Sequence, residues 1–249
     1  MEPVTVTRVA HACVLLDFGS TRVLTDPWLS EKRGYHQGEQ RAFATAADLP
    51  RLDGIVVSHG HYDHFDLAAL ADYPDKSIPM IVKRGLGQRA ERAGWSHVIE
   101  VDAWEAASIG PVTITAAPAR HKVPEVTYIL TGHGRTVFFG ADTMRIPELD
   151  QIPGRFGAID LALLPINGLR IRPLLNRQIV MNATEAAEVA SVLLPRIAVP
   201  IHYAFTAGRL RERLLLKLDG RTAPFVDAVA ERAPSTQVQI LEPGRTLAI

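Results

Sequence analysis

The sequence predicts an α/β protein in which two sheets pack face to face and helices cover the outer faces. The chain has 249 residues, 47% of them hydrophobic and 22% charged, so it can bury a substantial core. Apolar or alternating stretches recur in two blocks, and each block begins with strands and continues with alternating strands and helices. No fixed-period repeat and no linker rich in Pro, Gly and Ser divides the chain, so we expect one domain over residues 1–249.

The first block predicts a β-meander followed by alternating strands and helices. Residues 4–9 alternate apolar and polar side chains, 13–18 are mostly apolar, and Gly19-Ser20 favours a turn into a strand over 21–24. Asp66 is a candidate N-cap for a helix over 67–72. The other predicted elements are a loop over 31–40, strands over 54–58, 80–82 and 98–101, and a helix over 87–93.

The second block predicts six strands and three helices. Gly132-His133-Gly134 favours a hairpin, and Asn182 with Glu185 three residues later is typical of a helix N-terminus. The predicted strands cover 112–117, 126–130, 136–139, 161–165, 197–201 and 237–241, and two further helices cover 209–218 and 223–232.

Charge and cysteine usage narrow the classes of function. Lys+Arg and Asp+Glu balance at 27 each, so no overall field favours nucleic acid or an anionic membrane surface, and we expect a small-molecule substrate. Cys13 is the only cysteine, which excludes a disulfide framework and a multi-cysteine zinc site. The N-terminus lacks a secretory signal and no long apolar run occurs, so we expect a cytoplasmic protein without a transmembrane segment. A homo-oligomeric state is compatible with the sequence.

The segment His59-Gly60-His61-Tyr62-Asp63-His64 is the strongest functional signal. A random chain of this composition would contain such a pattern on the order of once per thousand chains. Residues two apart on an extended chain face the same way, so His59 and His61 can bind one metal, and the following turn directs Asp63 and His64 elsewhere. The alternative is a surface run of histidines before a helix cap, and the ligand spacing favours a metal site.

At this segment the sequence resembles the metallo-β-lactamase superfamily, which carries a His-x-His-x-Asp-His motif after a buried strand. Four positions outside this segment match the rest of that family's pattern. They are Asp26 before Pro27, His121 in Pro118-Ala119-Arg120-His121, Asp142 in Gly140-Ala141-Asp142-Thr143, and His202 in Pro200-Ile201-His202-Tyr203. Each match alone has an ordinary explanation, as a turn former, a surface histidine, a turn cap or a core histidine. Together, in the family's order and at strand ends, they favour a metal centre.

The resemblance implies a four-layer αββα sandwich of two mixed sheets and a centre for two divalent metal ions. Zn²⁺ suits the implied donors best, and Mn²⁺ and Fe are compatible with them. The implied roles are these: His59, His61 and His121 hold one metal, Asp63, His64 and His202 hold the other, Asp142 bridges them, and Asp26 orients a ligating histidine through its second ring nitrogen.

A narrower resemblance is to the branch that includes ascorbate-phosphate lactonase and N-acylphosphatidylethanolamine-hydrolysing phospholipase D. The residues that carry it are His11-Ala12-Cys13-Val14-Leu15-Leu16, Asp26-Pro27-Trp28-Leu29 and Tyr62-Asp63-His64-Phe65-Asp66. A histidine after a first strand is more often structural, so His11 is left out of the predicted metal ligands.

The implied reaction is hydrolysis of an ester, lactone or phosphodiester bond by a metal-bridging hydroxide, with Asp63 or Asp142 as the catalytic proton acceptor. Arg120, Arg170 and Arg172 are candidate substrate contacts for an anionic group, and Lys122 and Arg177 lie near them in the sequence. Two alternatives stay open, a nucleic-acid phosphodiesterase and a non-hydrolytic metal-binding protein. Zero net charge disfavours the first, and seven ligands exceed the four that a structural zinc needs.

Overall fold

The computed structural model describes residues 3–32 and 34–249 and has two seven-stranded mixed sheets. In the first sheet the order is β17-β1-β2-β3-β4-β5-β6, antiparallel from β17 to β3 and parallel from β3 to β6. Its strands are β1 (Val4–Ala10), β2 (Cys13–Phe18), β3 (Thr21–Thr25), β4 (Gly54–Val57), β5 (Met80–Lys83), β6 (Val98–Val101) and β17 (Thr246–Ala248).

The second sheet has the order β16-β14-β11-β10-β9-β8-β7, antiparallel from β7 to β10 and parallel from β10 to β16. Its strands are β7 (Ala106–Ile109), β8 (Val112–Pro118), β9 (Val126–Gly132), β10 (Arg135–Phe139), β11 (Leu161–Pro165), β14 (Ile197–Ile201) and β16 (Gln237–Val238). A small third sheet joins β12 (Arg170–Ile171), β13 (Arg177–Gln178) and β15 (Leu216–Lys217).

The main core lies between the two large sheets, because both present apolar side chains there. Along β2, Val14 and Leu16 face this core, whereas Cys13 and Leu15 face the outer side of the first sheet. This alternation is the period of two that a strand imposes on its side chains. Burial on both faces explains why the strands are so apolar.

Helices cover both outer faces, which confirms the predicted αββα sandwich. The helices are α1 (Gly87–Arg92), α2 (Ile152–Phe156), α3 (Ala183–Leu193), α4 (Arg209–Leu214) and α5 (Thr222–Arg232). Helices α3 and α5 pack with the outer face of the second sheet, and α1 belongs to the core outside the first sheet. The predicted start of α3 is present, since the Asn182 side chain accepts a hydrogen bond from Glu185 N–H and Glu185 accepts one from Asn182 N–H.

Several local predictions were wrong where tertiary pairing decides the conformation. Residues 67–72 contain only a short 3-10 helix, Ala69–Asp72, although Asp66 does accept the Ala69 N–H. The helix predicted over 209–218 ends at Leu214, because the next residues pair with β12. Strands β7 and β17 were not predicted, and the strand predicted over 237–241 ends at Val238. In the described part of the chain, no helix is long and apolar enough to cross a membrane.

Candidate metal centre

Three histidines form a first cluster at the ends of strands from both sheets. His59 and His61 follow β4 and His121 follows β8. His61 Nδ1 lies 2.9 Å from His59 Nε2 and 3.3 Å from His121 Nε2. Ligand atoms of all three residues lie within 4.8 Å of one another, a separation that suits donors to one cation.

Neighbouring groups direct the ring nitrogens of the first cluster. His121 Nδ1–H donates to the Ile179 carbonyl over 2.8 Å, which leaves Nε2 facing the cluster. His59 Nδ1 lies 2.9 Å from Ser58 Oγ and 3.2 Å from Glu125 Oε1. These contacts fix the planes of both rings, so the nitrogens that face each other need no rearrangement to share a cation.

A second cluster consists of His11, Asp63, His64 and His202, whose ligand atoms also lie within 4.8 Å of one another. His64 Nδ1–H donates to Asp26 Oδ2 over 2.7 Å, and Asp26 also accepts hydrogen bonds from Ser58 N–H and Oγ. Asp26 is therefore fully engaged in hydrogen bonds and holds the His64 ring with Nε2 toward the cluster.

The Asp142 carboxylate lies between the two clusters. Its Oδ1 is 2.9 Å from His202 Nε2 and 3.2 Å from His64 Nε2, and its Oδ2 is 3.9 Å from His121 Nε2. The side chain is buried, and its backbone N–H donates to Glu125 Oε1 over 2.9 Å. One oxygen thus faces each cluster.

Four residues at the centre have strained backbone conformations. His11, Asp26, Ala141 and His202 have φ values of 55°, 34°, 46° and 54°, in the left-handed region that side chains other than glycine rarely adopt. Such conformations cost about 1–3 kcal/mol each and persist where the surrounding structure requires them. At His11 and His202 this turn directs the side chain out of the strand and into the centre.

Burial and charge divide the titratable groups into two kinds. Burial lowers the pKa of His59 and of His61 to about 3, so both imidazoles are neutral at pH 7. Burial would also lower the pKa of His64, but Asp142 and Asp26 outweigh it and raise this pKa well above its ordinary value. Burial would raise the pKa of Asp142, yet His202 and His64 hold it well below its usual range.

The donor set fits a divalent cation. The buried atoms His64 Nε2, His202 Nε2 and Asp142 Oδ1 have no hydrogen-bond partner, and neither has either ring nitrogen of His11. Buried polar atoms are normally hydrogen-bonded, so these facing ring nitrogens and carboxylate oxygen without hydrogen bonds fit a cation-binding site. Imidazole and carboxylate are ligands that Zn²⁺, Mn²⁺ and Fe accept.

Sequence reasoning missed two residues of the centre. His11 was left out because position alone does not distinguish a ligand from a structural histidine. Glu125 lies outside the motif, and its buried carboxylate contacts His59 and the Asp142 backbone. Burial raises the pKa of Glu125 to about 8. No pattern in the sequence marks Glu125, because a glutamate before a strand is ordinarily exposed.

Two cavities adjoin the centre and share His121, Lys122 and Ile179. The first, about 190 Å³, has an apolar and aromatic wall of Tyr35, Tyr62, Leu169, Ile171, Ile179, Phe205 and Leu216, and also reaches His61, Asp63, Asp142 and His202. The second, about 330 Å³, is lined by the exposed cations Arg120, Lys122 and Arg177, together with Met144, Leu174, Gln178 and Ile179. No acidic residue lines the second cavity among the described residues.

The predicted substrate contacts occupy different environments. Arg120 lines the second cavity. Arg170 donates to Gln178 Oε1 over 2.8 Å, and Arg172 Nε donates to the backbone carbonyls of Glu212 and Leu216 over 3.1 Å each. Arg170 and Arg172 thus join β12 to the neighbouring segments, and their contact with substrate stays a prediction.

The model of the β-lactamase superfamily domain matches residues 21–203, and the chain belongs to this superfamily. The matched residues include the first cluster and Asp142 but begin after His11. The narrower resemblance to a lactonase and phospholipase branch stays a prediction.

Several known proteins are similar to the chain. A UPF0173 metal-dependent hydrolase of Pyrococcus furiosus is 27% identical over 98% of this chain and 99% of its own length. Uncharacterized mycobacterial proteins are 31% identical over 63% of this chain, and the matched part spans only 46% of their own length.

Among solved structures, the metallo hydrolase Igni18 of Ignicoccus hospitalis has a TM-score of 0.75 at 21% identity, and the match covers 100% of this chain and 99% of that chain. CmlA, a diiron β-hydroxylase of Streptomyces venezuelae, has a TM-score of 0.78 at 22% identity over 100% of this chain and 55% of its own. The two structural likenesses establish the fold.

Proposed function

We propose that this member of the β-lactamase superfamily is a metal-dependent hydrolase with a dinuclear centre that cleaves an ester, lactone or phosphodiester bond of a small molecule. The observation that carries the proposal is the position of Asp142, with one carboxylate oxygen near each histidine cluster. The proposed ligands are His59, His61 and His121 for one ion and Asp63, His64 and His202 for the other, with Asp142 shared. Zn²⁺ is the expected metal, and Mn²⁺ and Fe fit the same donors.

The cations, when bound, would polarise a water and lower its pKa toward about 7, which makes hydroxide available at neutral pH. The chain's own carboxylates then serve as proton acceptors. Burial would raise the pKa of Asp63, but His11 and His64 lower it below its usual range, so Asp63 is ionised at neutral pH. Both side chains line the first cavity, but that of Asp63 is 14% exposed and that of Asp142 only 4%. Asp63 is therefore the better placed of the two to accept a proton on the substrate side.

The cavities support a substrate that has both an apolar part and an anionic group. The apolar wall of the first cavity suits a hydrocarbon or ring, and the cations of the second suit a phosphate or carboxylate. Lys122 lines both cavities next to His121, so one molecule can reach the metal ligands and the basic surface together.

Metal analysis followed by a substrate screen tests this function. Protein purified without added metal should contain close to two metal equivalents, and it should hydrolyse some of a panel of lactones, esters and phosphodiesters. Acidic panel members should be hydrolysed faster than neutral ones of the same size. If metal-replete protein hydrolyses no panel member while chelation lowers its melting temperature, the protein binds metal without hydrolytic activity. Hydrolysis of nucleic acid in preference to small phosphodiesters would instead identify a nuclease.

A further inference from the structure

We propose that His11 is a metal ligand, and that it gives the second cluster one more protein donor than the first cluster. The inference rests on the proposed two-metal function and assigns unequal roles to the two ions. It concerns a residue that lies outside the matched superfamily residues 21–203.

The distances around His11 are those between ligands of one ion. Donors about 2.0–2.1 Å from a tetrahedral cation stand about 3.3 Å from one another. His11 Nε2 lies 3.5 Å from Asp63 Oδ2, and His64 Nε2 lies 3.9 Å from the same oxygen. All four donors of the second cluster, that of His202 included, lie within 4.8 Å of one another. A small contraction around a cation would bring them to ligand spacing.

A hydrogen-bonding role does not account for His11. An N–H···O hydrogen bond is 2.7–3.2 Å long, which is shorter than the 3.5 Å that separates His11 from Asp63. The ring is fully buried, and neither nitrogen has a hydrogen-bond partner. Burial of such a group without a partner costs about 1–3 kcal/mol, whereas a phenylalanine of similar shape would avoid this cost.

The backbone also holds His11 in place. Its N–H donates to Glu39 Oε1 over 2.9 Å, and its carbonyl accepts from the His202 N–H over 3.2 Å. The left-handed turn at His11 brings its ring centroid to 3.8 Å from that of His202 and 4.8 Å from that of Trp28. The ring is thus anchored with its Nε2 edge toward Asp63.

The two ions differ in the number of protein donors that hold them. With His11, the second cluster has four donors before Asp142 is counted, and the first cluster has three. The shared Asp142 adds one donor to each ion, so the second ion has five protein donors and the first has four. The ion of the second cluster is therefore the more tightly held one.

Metal retention in a variant tests this assignment. Wild-type protein and His11→Phe are loaded with Zn²⁺ and dialysed against a weak chelator, and the retained zinc is measured. Wild type should keep one equivalent after the other is lost, and His11→Phe should hold that equivalent at least tenfold more weakly. The matched control, His97→Phe at an exposed position, should behave as wild type. Unchanged retention in His11→Phe would overturn the proposal.

Two further measurements separate the explanations. If His11→Gln retains zinc as wild type does, then His11 acts as a hydrogen-bond donor to Asp63 and is no ligand. Histidine ring-nitrogen NMR of zinc-loaded wild type requires no variant to fold, and six metal-bound imidazoles are expected with His11 and five without it. Failure of wild type to bind two ions would contradict the proposed function itself, whereas five bound imidazoles with two ions would contradict only the role of His11.

Discussion

Replacing Asp26 by asparagine should weaken metal binding at the second cluster while the fold persists. The Asp26 carboxylate accepts hydrogen bonds from His64 Nδ1–H, Ser58 N–H and Ser58 Oγ–H. An asparagine of the same size keeps one oxygen for Ser58 but can present an N–H₂ group to His64. His64 would then accept at Nδ1 and carry its proton on Nε2, the nitrogen that faces the cluster.

The magnitude follows from the contact that is lost. Loss of a group that orients a ligating histidine typically lowers metal affinity 10–100-fold, which is about 1.4–2.7 kcal/mol. Because Asp26 is fully buried, we also expect the free energy of unfolding of the metal-free protein to fall by about 1–3 kcal/mol.

Chelator competition at pH 7 measures the affinity, and urea unfolding of the metal-free protein measures the stability. Asp66→Asn is the matched control, because Asp66 is a buried carboxylate that accepts from Leu29 N–H, Ser30 N–H and Ser30 Oγ–H but does not contact the centre. It should lower stability and leave metal affinity unchanged. Wild-type metal affinity in Asp26→Asn, or an equal loss in Asp66→Asn, would refute the reasoning.

Four other outcomes are expected. Asp142→Ala should abolish turnover and release at least one metal equivalent, and elemental analysis that finds both ions retained would contradict a shared ligand. Glu125 has its pKa raised to about 8, so its stabilising effect in the metal-free protein is present below pH 4.5 and is lost as pH rises to about 8. Between pH 5 and 8, the free energy of unfolding of wild type in urea should fall by up to about 1.4 kcal/mol per pH unit relative to that of Glu125→Gln. The same pH dependence in both proteins would contradict this role of Glu125. Lys122→Ala should raise KM for an acidic substrate at least fivefold, whereas Arg172→Ala should mainly lower the melting temperature; equal KM values for both would remove the anion-binding role. His64 is protonated in the metal-free protein, so calorimetry in buffers of different ionisation enthalpy should detect release of at least one proton on metal binding at pH 7.

The order of the elements could be predicted where local pattern and burial agree. Strands 13–18, 161–165 and 197–201 have the predicted bounds, because their apolar residues lie in sheets buried on both faces. Strand 98–101 also has the predicted bounds, although only Val101 in it is buried. The α3 N-terminus was predictable because the Asn182–Glu185 capping box is a local interaction. Residues 215–218 were wrongly predicted as helix, because Leu216 and Lys217 form a strand that pairs with β12 some 45 residues earlier.

The predicted metal ligands also depended partly on local pattern and partly on tertiary structure. The spacing of His59, His61 and His64 determined which residues could face a cation, since a strand followed by a turn fixes the directions of neighbouring side chains. The positions of His121, Asp142 and His202 came from the family pattern, and strand ends from both sheets bring them within a few ångströms of the motif.

The sequence by itself determined the class of the fold and the chemistry of the donors, because strand periodicity and imidazole or carboxylate side chains are local properties. Tertiary structure alone decided which distant groups join them. The burial of Glu125, the unpartnered ring of His11 and the placement of Lys122 between two cavities depend on strands that meet in space but lie far apart along the chain. Desolvation and charge act over a few ångströms of space, so residues remote in sequence set the properties of the centre.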